Sequence, residues 1–440
     1  MIARKAPPPD RDFMLLFLVM LTIASGNTAL QSVLPALGRL LGVVDSAVAA
    51  VFSISALLWV IAAPIWANRS DRRGRKAMVL LGLAAFTLSL FLCGMALIAG
   101  INAWIGPVAT FLAFTAGRIV YGGGGSAAPP AVQALVALRT PSEERTRALS
   151  LLASAFGLGT ILGPAIAPYL VLGALWSDGP RVGLAGPALL FSGFGLLVWL
   201  AVARWLAPES EGRGHGAATS YPSIGGQLSG ASVTAATTER VGPVGYFDAR
   251  IRGWIVAGLA IGHAQAIAGQ TIGFLVIDRL GLPPLEALPP TGLVLMTGAG
   301  SALLAQWGLI PIFNLRPRAM VLLGALLGAA GCVATGLATS LYGIATGFAL
   351  ASLGFGFARP GFTAGASLAV GPEVQGSVAG KVTSVNGAAY VLGPTIGILM
   401  YQLARPLPYL AAAAALLVLL AYGWFNLSRP HREAEASREQ

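Results

Sequence analysis

Residues 66–82 read Trp66-Ala67-Asn68-Arg69-Ser70-Asp71-Arg72-Arg73-Gly74-Arg75-Lys76-Ala77-Met78-Val79-Leu80-Leu81-Gly82, a charged cluster that turns abruptly apolar. The apolar part recurs. Ala319-Met320-Val321-Leu322-Leu323-Gly324 repeats residues 77–82 at an offset of 242, again behind a basic residue, Arg318 in place of Lys76. Farther along, an offset of 230 carries Pro130 to Pro360, Glu143 to Glu373, Gly157 to Gly387 and Gly163-Pro164 to Gly393-Pro394. Chance can supply one six-residue match but not an ordered series, so the chain is two halves built on one plan.

What surrounds the two copies sets the class. Of 440 residues 56% are hydrophobic and 10% charged, against roughly 25% charged in soluble proteins. Spanning helices of ~20 residues fill such a chain about a dozen times over and leave no room for a large soluble catalytic domain. Apolar runs fall at 13–38, 46–67, 77–99, 107–137, 148–172 and 187–207, and again at 251–277, 291–313, 319–340, 341–370, 378–402 and 409–427. The expected organisation is an N-terminal segment 1–12, a six-helix bundle 13–207, a polar linker 208–250 with a short surface helix near its end, a second bundle 251–427 and a tail 428–440. The first run follows charges and lacks a small-residue cleavage site, so it reads as a retained helix.

Charge supplies the topology. With alternate loops on opposite sides, 21 of the 28 Lys and Arg residues fall on the side of both termini and the linker, 4 on the other (Arg39, Arg181, Arg279 and Arg405), and Arg118, Arg359 and Lys381 within helices. The positive side is expected to be cytoplasmic, in a multi-pass protein of a bacterial inner membrane. The formal charge of +11 is therefore topology, spread over short loops with no basic domain for nucleic acid. Cys93 and Cys332 lie in apolar runs and the three histidines are scattered, so neither a disulfide framework, a metal site nor a cofactor is expected. An even number of helices separates matching positions, so the halves run parallel about an axis along the membrane normal, with a substrate site between them near the midplane.

At this point the chain resembles the major facilitator superfamily, and the resemblance covers essentially all of it. Residues 66–76 are similar to that family's G-x-x-x-D-R-x-G-R-[KR] loop, with Ala67 where the family has Gly. Arg118-Ile-Val-Tyr-Gly122-Gly-Gly124 resembles its R-x-x-x-G-x-G element, and Gly159-Thr-Ile-Leu-Gly163-Pro164 the G-x-x-x-G-P element of its antiporter branch. Together they look like the twelve-helix drug:proton antiporter group that includes tetracycline exporters. The resemblance implies an all-α membrane fold of two pseudo-symmetric six-helix bundles, a monomer in the lipid bilayer, and alternating access.

Several residues carry the expected chemistry. Asp71, with Arg72, Gly74, Arg75 and Lys76, reads as a conformational latch that meets the eleventh helix's N-terminus and Lys381; the plain alternative is a topology signal. Arg118, deep in the fourth run, is either a coupling residue or a structural arginine, and Arg359 either serves the cavity or snorkels. The Gly122–Gly125 run has no Lys-Ser/Thr behind it and sits at membrane depth, so it packs helices and cradles no phosphate. Gly159, Gly163, Pro164, Gly393 and Pro394 form a packing and kinking motif. None of the 17 acids falls mid-membrane, which leaves His263 and Asp278 as rival proton carriers. Asn27, Gln31, Gln265, Gln270, Gln306, Asn386 and Tyr390 are in-membrane polar groups expected to contact substrate.

The expected function is proton-coupled export of a small hydrophobic organic compound, neutral or anionic, since the helices hold two arginines and no carboxylate. An importer of an anionic metabolite or siderophore is the second reading. A membrane enzyme or non-transporting receptor is the third, and it finds no Ser/His/Asp or paired-carboxylate constellation to stand on.

Overall fold

Lipid offers no partner to a backbone N–H or C=O, so a segment that crosses it must close its own hydrogen bonds, which long apolar runs do as helices. A computed structural model describes residues 11–140, 142–174, 179–207, 245–370 and 375–427. The first half comprises α1 (Arg11–Leu40), α2 (Asp45–Arg73), α3 (Arg75–Ile101), α4 (Pro107–Gly124), α5 (Ala128–Arg139), α6 (Ser142–Ile166) and α7 (Gly186–Trp205). The second comprises α8 (Arg252–Leu280), α9 (Leu288–Leu303), α10 (Ile310–Phe313), α11 (Pro317–Leu337), α12 (Leu341–Leu368), α13 (Gln375–Leu403) and α14 (Leu407–Asn426). Among the described residues nine helices are long and apolar enough to cross a membrane, with α9 and α10 counted as one. The other crossings are the interrupted α4–α5, α6 and α13.

Interruptions have local causes. Between α4 and α5 the chain tightens to a 3-10 turn at Gly125–Ala127, because Pro129 and Pro130 supply no N–H for the turn before them. Between α9 and α10 it widens to a π-helix at Leu304–Leu309, one turn ahead of Pro311. The charged cluster at 66–76 is not a loop. Helix α2 continues through Asp71 to Arg73, and the chain turns at Gly74, whose φ of 85° is open to glycine and strained for other residues.

Small residues set the helix contacts. Gly331 lies against the Ala351 backbone and Gly354 against the Gly328 backbone, so α11 and α12 pack at a distance larger side chains would prohibit. Gly159 and Gly163 do the same for α6 against Ala24, Ser25 and Thr28 of α1, and Gly393 lies against Ala266 of α8. Contacts between the halves run through α2 with α13 and α6 with α9, with α1 touching α8 and α9.

One feature was not expected from the sequence. A two-stranded antiparallel ribbon, β1 (Leu172–Ala174) with β2 (Arg181–Gly183), pairs Leu172 with Gly183 and Ala174 with Arg181. Asn102 caps its edge, donating from Nδ2 to the Arg181 carbonyl at 2.9 Å and accepting the Arg181 N–H at Oδ1 at 2.8 Å. The surface helix expected near the end of the linker falls largely outside the described residues, and residues 245–250 are turns. There Arg250 donates through Nε and Nη2 to Asp248, which holds that carboxyl down at about 2.

A polar cavity between the two halves

Asn27 and Gln31 are four residues apart on α1 and so share a face. Together with Gln265 and Gln270 of α8 and Tyr390 of α13 they line a cavity between the halves, whose two adjoining lobes measure about 630 Å³ and 640 Å³. Its walls are aromatic: Phe52 and Trp59 from α2, Tyr121 from α4 and Phe156 from α6 in one lobe, with Phe348 and Phe355 from α12 in the other. Among the described residues no Asp or Glu lines either lobe.

Prolines interrupt the helices beside this surface. A helical proline supplies no N–H to the carbonyl four residues earlier. Pro35, Pro164 and Pro394 stand inside α1, α6 and α13, and the residues four before them, Gln31, Thr160 and Tyr390, all line the cavity.

Arg118 supplies the charge. It is 3% exposed, its Nη2 donates to Asn27 Oδ1 at 2.9 Å, and its guanidinium stacks 4.7 Å from the Tyr121 ring centre and 5.4 Å from that of Phe52. Its Nε is buried without a hydrogen-bond partner, as is Nε1 of Trp59, and both residues line the same lobe. The Trp59 and Tyr121 rings are 5.2 Å apart, so one tyrosine touches both. Arg359 stands behind the wall, donating to Gln265 Oε1 at 3.4 Å and lying 6.0 Å from the Tyr390 ring centre.

Other sequence-predicted residues lie elsewhere. His263 does not line either lobe, and its Nδ1–H donates to the Leu259 carbonyl of its own helix at 2.8 Å. Gln306 sits in the π-helical turn. Asn386 is buried one turn from Tyr390, outside the lining. Pro394 lines the first lobe, whereas Gly159, Gly163 and Gly393 serve helix contacts.

Asp278 occupies a site of its own, at the membrane face opposite the linker. Arg39, at the end of α1, donates to Asp45 at 2.6 Å and 2.7 Å and to Asp278 of the other half at 3.1 Å and 3.2 Å. Tyr401 O–H donates to the same Asp278 carboxylate at 2.7 Å, and Arg405 Nε lies 3.8 Å from it. Ser53 of α2 and Thr395 of α13 also meet across the halves at 3.0 Å. Residue counting missed this seal. Arg39 was visible only as one of four basic residues on the sparsely charged face, and its partner is 239 positions away.

On the linker face the residues of the predicted latch are described only in part. The side chains of Asp71 and Arg72 lie outside the described residues. Lys76 stays within its own half, donating to the Ala203 and Leu206 carbonyls at the end of α7 at 3.0 Å and 2.6 Å. Arg75 is buried at the start of α3, and Lys381 stacks 5.1 Å over the Tyr246 ring, beside the start of the second half. Among the described residues no group of three or more His, Cys, Asp or Glu could hold a metal.

"Multidrug resistance protein MdtG" of Yersinia enterocolitica is 34% identical over 161 residues, a match that spans 36% of this chain and 34% of that protein's length. "Multidrug resistance protein 2" of Bacillus subtilis is 25% identical over 373 residues, 84% of this chain and 82% of that one. The crystal structure of a bacterial homologue of the human lysosomal transporter Spinster superposes with a TM-score of 0.71 over 97% of this chain and 100% of that one, at 14% identity. The sequence model of the Major Facilitator Superfamily matches residues 16–394. The chain is a multi-pass membrane protein that belongs to the Major Facilitator Superfamily.

Proposed function

We propose that this transporter exports a small hydrophobic organic compound, neutral or anionic, in exchange for protons by alternating access. The observation that carries the reading is the acid-free, aromatic-walled cavity, built from Asn27 and Gln31 of one half and Gln265, Gln270 and Tyr390 of the other. Rocking the halves about a site they share exposes it to one face at a time. Arg39 and Asp278 close the face opposite the linker and must part for release there. The names of the relatives, multidrug resistance proteins, support efflux as the direction.

The test is flux. Protein reconstituted in proteoliposomes with an imposed pH gradient and the membrane potential clamped at zero, screened against a panel of hydrophobic compounds, is expected to move at least one of them and to stop when the gradient is collapsed. No gradient-dependent flux for any compound, from correctly inserted protein, overturns the proposal.

A further inference from the structure

Two buried donors in one lobe of the cavity are unanswered by the protein: Nε of Arg118 and Nε1 of Trp59. Burying a guanidinium at membrane depth is costly unless its charge and its N–H groups are met. Here Asn27 satisfies one edge, Tyr121 and Phe52 face the π-surface, and no described carboxylate lines the lobe. An indole N–H, which donates only, adds a second demand for an acceptor. The remaining wall is part aromatic, with Phe156 and Tyr390, and part polar, with Gln31, Ser55 and Gln270.

From this we infer that the substrate class is planar aromatic monoanions, an aromatic carboxylate or phenolate whose oxygen accepts from Arg118 and Trp59 while its ring packs against Tyr121, Phe52 and Phe156. The inference rests on the reading of the cavity as a substrate site, and it narrows neutral or anionic to anionic. A cationic amine of the same shape brings a like charge to Arg118 and leaves both donors unmet. A neutral alcohol accepts one hydrogen bond but does not compensate the charge. Charge-assisted hydrogen bonds are roughly twice as strong as neutral ones, so the anion is expected to bind at least about tenfold tighter than the alcohol.

Calorimetric titration of the purified full-length protein in nanodiscs tests this with three probes that share one ring: 2-naphthoate, 2-naphthalenemethanol and 2-naphthylmethylammonium. Naphthoate is expected to bind at least tenfold tighter than the alcohol, and the ammonium more weakly than both. Arg118→Gln is expected to bring naphthoate to the alcohol's affinity and to leave the alcohol within about twofold. Trp59→Phe, which keeps the ring and removes the donor, is expected to weaken naphthoate three- to tenfold, and it carries the test where Arg118→Gln is not monodisperse. Equal or tighter binding of the ammonium, no binding of any probe, or an unchanged anion preference in a folded variant overturns the inference. Proteoliposome flux separates the two failures. Gradient-driven transport of other compounds without naphthoate binding removes the substrate class alone, whereas naphthoate binding with no flux of any compound removes the transport reading alone.

Discussion

Arg118 carries a charge into lipid with no described carboxylate lining the cavity beside it. A structural arginine in that position is replaceable by anything that packs; a working one is not. Arg118→Ala is expected to lower gradient-driven transport at least tenfold, while Arg118→Lys recovers part of it, because lysine keeps the charge but loses the planar fork that spans Asn27 and the rings. Normal export by both variants would make the residue structural. For the proton, geometry separates the two candidates. His263 answers a carbonyl of its own helix, whereas Asp278 is held by Arg39, Tyr401 and Arg405, of which Arg39 leaves when the halves part. Asp278→Asn is thus expected to abolish gradient-driven transport yet spare gradient-free counterflow, and His263→Gln to leave both near wild type. The reverse pattern gives the proton to His263; full coupling in the double variant makes the protein a facilitator or couples it to another ion.

Helices here are held together by what their side chains lack. Gly163→Leu would drive a side chain into Thr28 and the Ser25 carbonyl, and Gly331→Leu into the Ala351 backbone. Each should cost about 1–3 kcal/mol, read as a clear drop in thermal unfolding temperature in detergent. Gly123→Ala, which meets open space on its helix, is expected to be neutral or slightly stabilising; equal losses at all three positions would mean that glycine content rather than contact sets stability. This level of structure was the most legible. Length, apolarity and the 77–82 repeat announce the helices because lipid permits little else, and the i, i+4 pair Asn27 and Gln31 announces a cavity face. What could not be read was anything joining distant segments. Nothing near Arg39 in the chain points to Asp278 or Tyr401, and the aromatic walls are dispersed among helices that are apolar over most of their length. Helix α2 running on to Arg73 was hidden by charge, which reads as a loop in a membrane protein although arginine is a good helix former.

At the scale of the molecule, one contact in the structure and one proposed contact have opposite effects on access to the cavity. The Arg39–Asp278 pair closes the face opposite the linker, and we propose that Asp71 serves the linker face when that side closes. Labelling reports both, with a cysteine placed at Gln270 and an impermeant maleimide applied from the face opposite the linker; native Cys93 and Cys332 are 0% exposed and give little background. Arg39→Gln removes charge-assisted bonds worth about 1.5–3 kcal/mol and is expected to raise the labelling rate roughly tenfold or more. Asp71→Asn loses ~0.3–2 kcal/mol of closure on the linker face and is expected to lower labelling and to cut transport without loss of binding. Unchanged labelling in either variant would remove that residue from the gating scheme.

The absence of acids around the substrate also has an electrical side. On the orientation that the loop charges predict, with the linker face on the negative, inner side of the membrane, a monoanion crossing to the other face moves with the field, which is worth ~2.3 kcal/mol per elementary charge per 100 mV. That is about a fiftyfold accumulation ratio at equilibrium. Exchanged for one proton, a neutral compound gains only what the entering proton gains from the same voltage, and a monocation gains nothing from it. For its anionic cargo the carrier is therefore expected to keep exporting when the pH gradient is collapsed and the potential kept, and to stall only when both are gone.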